Sequence, residues 1–226
     1  MSSFSSDLMN RDFEVKIGEY FGRGWEIFKK NAVQFILYTL LLGIIVGVLS
    51  QLPSPLGARG GEGNPWGGGN LIANILMPIL FAGYYFVAFQ IARNRNYAFG
   101  DFFQGFQKFL PIFLTSLVST ILTAIGFVLF IIPGIYLAVA YLFAQAFVID
   151  KSFEFWSAME TSRKLITRKW FPFFALALAL MVLNFIGALI LGVGLLVTIP
   201  LTFCIIAAAF EDIVGLNSVA TTGDAL

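Results

Sequence analysis

Four long blocks of this sequence contain no Asp, Glu, Lys or Arg, and they constrain the fold more than any other feature. A transmembrane α-helix needs about 20 apolar residues to cross a hydrocarbon core of ~30 Å. Residues 32–50 and 71–92 each match one such span, whereas residues 110–149 and 170–210 are about twice that length. Charged residues make up only 12% of the chain, against about 25% in soluble domains. The blocks therefore indicate an integral membrane protein.

The two longer blocks must each fold back on themselves, because both contain internal helix breakers. These breakers are Gly126 with Pro133 and Gly134 in one block, and Gly192, Gly194 and Pro200 in the other. The sequence thus predicts an all-α polytopic transmembrane helical bundle of about six spans, arranged as three helical hairpins. The predicted spans cover residues 32–50, 71–92, 110–128, 131–149, 170–191 and 195–213. The last span is short enough that a re-entrant or tilted segment is an alternative.

The rest of the chain surrounds one transmembrane domain, residues 13–213. Apolar residues spaced i, i+3, i+4 and i+7 predict amphipathic helices in the headgroup plane, one before each hairpin, at about residues 13–30, 99–109 and 152–169. Residues 51–70 contain seven glycines and three prolines, which is typical of a flexible loop. A polar N-terminal segment, residues 1–12, and a flexible C-terminal tail, residues 214–226, complete the predicted organisation.

The distribution of Lys and Arg along the sequence predicts the orientation of the chain in the membrane. Thirteen of the 14 basic residues precede the first span or lie in the connections after the second and fourth spans, and only Arg59 lies on the other side. The positive-inside rule therefore places both termini in the cytoplasm and the Gly-rich loop outside it.

Composition excludes most enzyme chemistry. Histidine is absent and the only cysteine, Cys204, lies in an apolar run, which removes His bases, Cys–His nucleophiles and Cys/His metal sites. Three carboxylates, Asp150, Glu211 and Asp212, end spans four and six, but they lack His partners. With a net charge of +1, nucleic-acid binding is not expected. The sequence predicts no catalytic, cofactor or metal site.

Three groups of residues are candidates for a role beyond packing. Polar lining of a solute pathway is one interpretation of Thr115, Ser119, Thr123 and Asn184, although hydrogen bonds within or between helices are the alternative. Gly43 and Gly47 form a GxxxG pattern that permits close helix approach, within the chain or in a homo-oligomer. Anionic-lipid contacts are predicted for five basic residues beside aromatic ones, although setting the topology also explains their charges: Arg93, Arg95, Arg163, Lys164 and Lys169.

Several strings in fixed order resemble a known family. They are GEYFGRGWEIFKK at residues 18–30, IIPGIYL at 131–137 followed by Asp150, SAMETS at 157–162 and GVGLLVTIP at 192–200. Over residues 13–213 the chain resembles six-span bacterial membrane proteins of unknown function that are related to the membrane domain of some glycerophosphodiester phosphodiesterases. The resemblance implies a multi-pass protein of the bacterial inner membrane. It transfers no catalytic residue, because the phosphodiesterase is a separate soluble domain.

Taken together, these features predict a non-enzymatic integral membrane protein that acts through association with the lipid bilayer, with a membrane-protein partner or with its own copies, as a scaffold, assembly or regulatory factor. The alternative is a transporter, channel or lipid-handling protein for a small neutral or amphipathic solute. No ionisable residue lies inside a predicted span, which disfavours proton-coupled transport.

Overall fold

A computed structural model describes residues 3–51, 68–190 and 192–217, and within these residues the chain is helical without a β-strand. The α-helices are α1 (Ser3–Asn10), α2 (Ile17–Lys30), α3 (Ala32–Ser50), α4 (Gly68–Ala92), α5 (Phe109–Leu129), α6 (Ile131–Ala140), α7 (Ala144–Lys151), α8 (Phe155–Thr167), α9 (Trp170–Leu189) and α10 (Leu195–Val214), with a 3-10 helix η1 (Phe99–Lys108) between α4 and α5. Most of the predicted Gly-rich loop, residues 52–67, and most of the predicted tail, residues 218–226, lie outside the described residues.

Within the described part of the chain, six helical segments are long and apolar enough to cross a membrane. They are Ala32–Leu49, Ile72–Ala92, Phe99–Leu129, Ile131–Lys151, Trp170–Leu189 and Leu195–Val214. The prediction of an all-α, polytopic helical bundle is confirmed, because the alternation of apolar blocks and breakers reports directly on helix length.

Two tight turns close the second and third hairpins where the breakers predicted them. A single extended residue, Phe130, separates α5 from α6, and Gly192 has a positive φ of 74° between α9 and α10. The paired helices approach closely beside each turn. A Cβ added to Gly126 would lie 3.0 Å from the Cα of Gly134. Only glycine allows the two backbones to meet at this distance.

The predicted fourth span is two helices rather than one. Helix α6 ends at Ala140 and α7 begins at Ala144, so the turn between them leaves backbone groups without helical partners. Ser162 of α8, which is fully buried, bonds both sides of this break. Its Oγ donates to the carbonyl of Ala140 at 2.7 Å and accepts from the amide of Phe143 at 3.2 Å. The sequence does not reveal the break because no Gly or Pro marks it.

Replacing Ser162 with alanine is expected to destabilise the protein by about 1–3 kcal/mol, because it strands a buried backbone donor and acceptor. The measurement is thermal unfolding of the detergent-solubilised protein. The matched control is Ser157→Ala on the same helix, because Ser157 is exposed. Equal stability of the two variants would mean that the α6–α7 break does not depend on this hydroxyl.

The segments that precede the hairpins pack directly against the backbones of other helices, which an amphipathic pattern alone does not predict. Helix α2 lies against α10, and a Cβ added to Gly24 would meet the backbone of Ile205 at 2.8 Å. The segment predicted as a second amphipathic α-helix is the 3-10 helix η1. With three residues per turn, Phe99, Phe102 and Gly105 lie in one row, and a Cβ on Gly105 would strike the carbonyl of Ile79 in α4.

Within the predicted polar N-terminal segment, residues 3–10 form helix α1. Leu8 is buried, with 2% of its surface exposed, and α1 contacts α8. This short run of mixed polarity is helical because its few apolar residues pack against another helix. The local sequence pattern does not predict such packing.

Candidate functional site

Three helices end at the same place, and each is followed by a residue with a positive φ angle. Asn94 follows α4 with φ 53°, Ser152 follows α7 with φ 54° and Gly215 follows α10 with φ 77°. After α4, the amide of Arg95 donates to the carbonyl of Gln90 at 2.9 Å, which is the pattern of a Schellman cap. These caps turn the chain back, so that polar residues beyond each helix gather at one end of the bundle. We call it the basic end.

A buried carboxylate organises the basic end. The side chain of Asp150 is fully buried, and it accepts from the guanidinium of Arg93. Its Oδ2 also lies 3.1 Å from Nζ of Lys151 and accepts from the backbone amide of Asn217 at 3.2 Å. One aspartate thus joins α4, α7 and the segment that follows α10.

Lysines at the basic end cap the carbonyl ends of helices. Nζ of Lys108 donates to the carbonyl of Ile149 at 2.9 Å and to Oγ of Ser152 at 2.8 Å. Nζ of Lys151 donates to the carbonyl of Gly215 at 2.7 Å. A cation at a helix C-terminus is favourable because it opposes the negative end of the helix dipole.

A partly open cavity of about 710 Å³ lies between α4, η1 and α7 at the basic end. Its lining combines three basic residues with four amides and two carboxylates: Arg93, Arg95, Lys108, Gln90, Asn96, Gln104, Asn217, Asp101 and Asp150. Both carboxylates have hydrogen-bond partners within the protein. Asp150 accepts from the guanidinium of Arg93, and Asp101 accepts from the backbone amide of Ala98 at 2.9 Å. Hydrogen-bond donors and net positive charge therefore characterise the cavity, which suits an anionic group.

The structure separates the five basic residues predicted to contact anionic lipids. Arg93 and Arg95 both line the cavity. Arg163 and Lys164 lie on α8 and bind Glu160, at 2.8 Å and 3.1 Å. The bond from Arg163 lowers the pKa of Glu160 and raises that of Arg163.

The fifth of these basic residues, Lys169, lies 3.6 Å from Asp12. Basic residues outnumber carboxylates three to two in both groups, so the presence of a cavity, and not the charge excess, distinguishes Arg93 and Arg95 from the other three.

The candidate polar lining does not form one pathway. Thr115 and Ser119 donate to carbonyls of their own helix, at 2.7 Å from Pro111 and 3.1 Å from Ser116. Asn184 lies on α9, where its Nδ2 donates to Oγ1 of Thr202 in α10 at 2.7 Å.

Of the remaining hydroxyls, Thr123 lines a cavity of about 400 Å³ between α5 and α6 together with Ser119. A second cavity on α5, of about 420 Å³, is lined by Asn74, Ser116 and Gln145. The hydroxyl strip of α5 and Asn184 therefore belong to separate surfaces.

Both glycines of the GxxxG pattern, Gly43 and Gly47, lie on α3 at positions that have room for a Cβ. A Cβ added to Gly43 or Gly47 would meet no atom within 4 Å in the described part of the chain. Apart from those beside the two hairpin turns, the close helix approaches in the described residues occur at Gly24, Gly83 and Gly105. Within the described residues, no other helix lies within 4 Å of a Cβ at Gly43 or Gly47, and their contact with a second copy of the chain stays a prediction.

Sequence reasoning missed most residues of the basic end. The sequence does not predict a role for Lys108 or Asn217. Asp150 shares with Glu211 and Asp212 only its position at the end of a predicted span. The structure instead places Glu211 beside Arg23 at 3.3 Å, and Asp212 accepts from the hydroxyl of Tyr20 at 3.0 Å. Burial, followed by the bond to Asp212, raises the pKa of Tyr20. The one available signal was polar residues directly following apolar blocks.

Comparison of the chain with protein-family models, with curated proteins and with solved structures finds no match.

Proposed function

We propose that this protein is a non-enzymatic integral membrane protein that acts by association, and that its basic-end cavity binds the headgroup of an anionic lipid. The cavity itself carries the proposal. Its lining offers guanidinium, ammonium and amide donors in excess over carboxylates, and both carboxylates have partners within the protein. A lipid phosphate is an anionic acceptor that such a lining can bind.

A role as a scaffold, assembly or regulatory factor agrees with this site. A lipid bound between α4, η1 and α7 would couple the lipid composition of the surrounding membrane to the helix ends that form the cavity. The resemblance to membrane domains of glycerophosphodiester phosphodiesterases, whose separate soluble domain cleaves a phosphodiester, points in the same direction. It also suggests a bacterial inner membrane, with the basic end and both termini in the cytoplasm.

The alternative, a transporter for a neutral solute, has weaker support. It needs the polar residues of the spans to face one another along a path. Thr115, Ser119 and Asn184 instead make bonds within their own helix or to its neighbour, and neither cavity beside α5 is lined by Thr115 or Asn184.

Replacing Arg95 with glutamine is expected to weaken binding of an anionic lipid about fivefold, because one basic residue near a surface contributes about 1 kcal/mol. The measurement is native mass spectrometry of protein from nanodiscs of phosphatidylglycerol and phosphatidylcholine, comparing the lipid that stays bound. Excess inorganic phosphate distinguishes a lipid site from a site for free phosphate.

The matched control is Lys164→Gln, which removes one positive charge outside the cavity. Equal loss of lipid in the two variants would indicate attraction by the whole surface, and unchanged binding in Arg95→Gln would also overturn the proposal. Displacement of the lipid by phosphate would reassign the cavity to a small anion.

A further inference from the structure

A second polar cavity lies between α4, α5 and α7, which belong to segments apolar enough to cross a membrane. It has a volume of about 420 Å³, and two amides and two hydroxyls contribute to its lining: Asn74, Gln145, Ser116 and Thr120. We call it the amide cavity. None of these four side chains has a hydrogen bond with another described residue. Their polar groups are therefore available to a ligand.

The mouth of the amide cavity opens onto an apolar surface. Asn74 of α4 and Thr120 of α5 are exposed at its edge, and each is followed by an exposed isoleucine, Ile75 and Ile121. In a membrane-crossing segment, such a surface contacts hydrocarbon, where an unpaired polar group is costly because water is scarce. The molecules that reach this mouth from the bilayer are lipids.

The amide cavity lies beside the cavity of the basic end. Both are lined by α4, by α7 and by the segment that joins η1 to α5. The lining residues of the two cavities that lie nearest along the chain are Gln145 and Ile149 on α7, Phe81 and Phe86 on α4, and Phe113 and Lys108 where η1 meets α5. Four or five positions separate each pair, which corresponds to about 6–8 Å of helix. About one helical turn therefore separates the two cavities on each wall.

The chemistry of the two cavities follows the order of polar groups in a diacyl glycerophospholipid. The phosphate is an anion, and the two ester carbonyls, a few bonds nearer the acyl chains, are neutral acceptors. The amide cavity has no charged residue in its lining, so it suits a neutral group rather than a second anion. Side-chain amides and hydroxyls both donate hydrogen bonds to carbonyl oxygens.

We infer that the amide cavity binds the ester carbonyls of the lipid whose phosphate occupies the basic-end cavity, so that the ligand is a diacyl glycerophospholipid. This inference rests on the proposed function, because the headgroup site fixes where the ester groups lie. The acyl chains leave through the mouth between α4 and α5 and join the bilayer.

Two lipids with the same headgroup test this inference on the unmodified full chain. Nanodiscs of phosphatidylcholine contain equal amounts of diester and diether phosphatidylglycerol with chains of equal length, and native mass spectrometry measures which lipid stays bound. The diether lipid keeps the phosphate but lacks the ester carbonyls. We expect a preference of about fivefold for the diester lipid, which is the effect of one hydrogen bond.

Single substitutions connect the preference to the amide cavity. Gln145→Leu and Ser116→Ala should each reduce the preference for the diester lipid and should leave the preference for phosphatidylglycerol over phosphatidylcholine intact. The matched control is Gln107→Leu, which removes an exposed amide outside both cavities and should change neither preference.

The outcomes separate this inference from the proposed function. Equal binding of the diester and diether lipids, with phosphatidylglycerol still preferred over phosphatidylcholine, would overturn the inference and leave the headgroup site in place. A diester preference that persists unchanged in both Gln145→Leu and Ser116→Ala would also overturn it, because the ester contact would then lie elsewhere. Loss of any preference for phosphatidylglycerol in the unmodified chain would overturn the proposed function and the inference together.

Discussion

Replacing Asp150 with alanine is expected to produce the largest loss of stability of any single change at the basic end. The side chain of Asp150 is fully buried, and its partners Arg93 and Lys151 expose only 18% and 6% of theirs. Removing the carboxylate leaves two cations in a poorly hydrated site, and breaking a buried pair in this way costs about 3–5 kcal/mol. The measurement is the unfolding temperature and free energy of the detergent-solubilised protein.

Two further variants establish that the loss comes from the unpaired charges. Glu160→Ala also removes a carboxylate with two basic partners, but a third of that side chain is exposed, so the expected cost is below about 1 kcal/mol. The double variant Arg93→Met, Asp150→Ala should lose less than the sum of the single changes, because the pair is removed together. Additive losses would mean that Arg93 and Asp150 do not depend on each other.

Replacing Gly83 with alanine is expected to have the second largest effect, a loss of about 3 kcal/mol, which is the upper end of the usual range for overpacking. An added Cβ would strike the carbonyl of Phe102 in η1 and lie 2.9 Å from the hydroxyl of Tyr38. The obstacle is backbone, which cannot rotate away. That hydroxyl donates to the carbonyl of Leu80 at 2.8 Å and to that of Phe102 at 3.3 Å, so the change would disturb both bonds.

Gly43→Ala is the matched control, since it makes the same change in another membrane helix where a Cβ meets no atom within 4 Å in the described residues. Its stability should equal or slightly exceed that of the parent, because alanine favours a helix over glycine. Thermal unfolding of the two variants side by side is sufficient. A Gly43→Ala variant that unfolds earlier than Gly83→Ala would contradict the packing described above.

The contrast between these glycines shows what local sequence can report. Gly43 and Gly47 satisfy a recognised spacing pattern, yet the close contacts lie at Gly24, Gly83 and Gly105, which form no pattern with one another. The GxxxG spacing indicates only that small residues lie on one face of a helix. Whether another backbone lies against that face depends on elements far away in the chain, here η1 for Gly83 and α10 for Gly24.

The same limit applies to the basic end. Arg93, Lys108, Asp150 and Asn217 each follow or precede an apolar block, which is a weak signal shared by most charged residues of this chain. Their assembly depends on positive φ angles after three helices, at Asn94, Ser152 and Gly215. Glycine adopts a positive φ readily and asparagine does so only occasionally, so residue type alone does not predict the reversals at Asn94 and Ser152.

The sequence alone determined the fold class, the tight turns at Phe130 and Gly192, and the segregation of basic residues, because helix length and the cost of burying charge in hydrocarbon act on every residue locally. The tertiary structure alone decided where those helices bend and what they touch. The break in the predicted fourth span, the 3-10 conformation of η1 and the burial of Asp150 each arise from contacts between residues 19 or more positions apart, such as Ser162 with Phe143 and Arg93 with Asp150. Such contacts reflect shape complementarity between whole helices, which no pattern within one helix encodes.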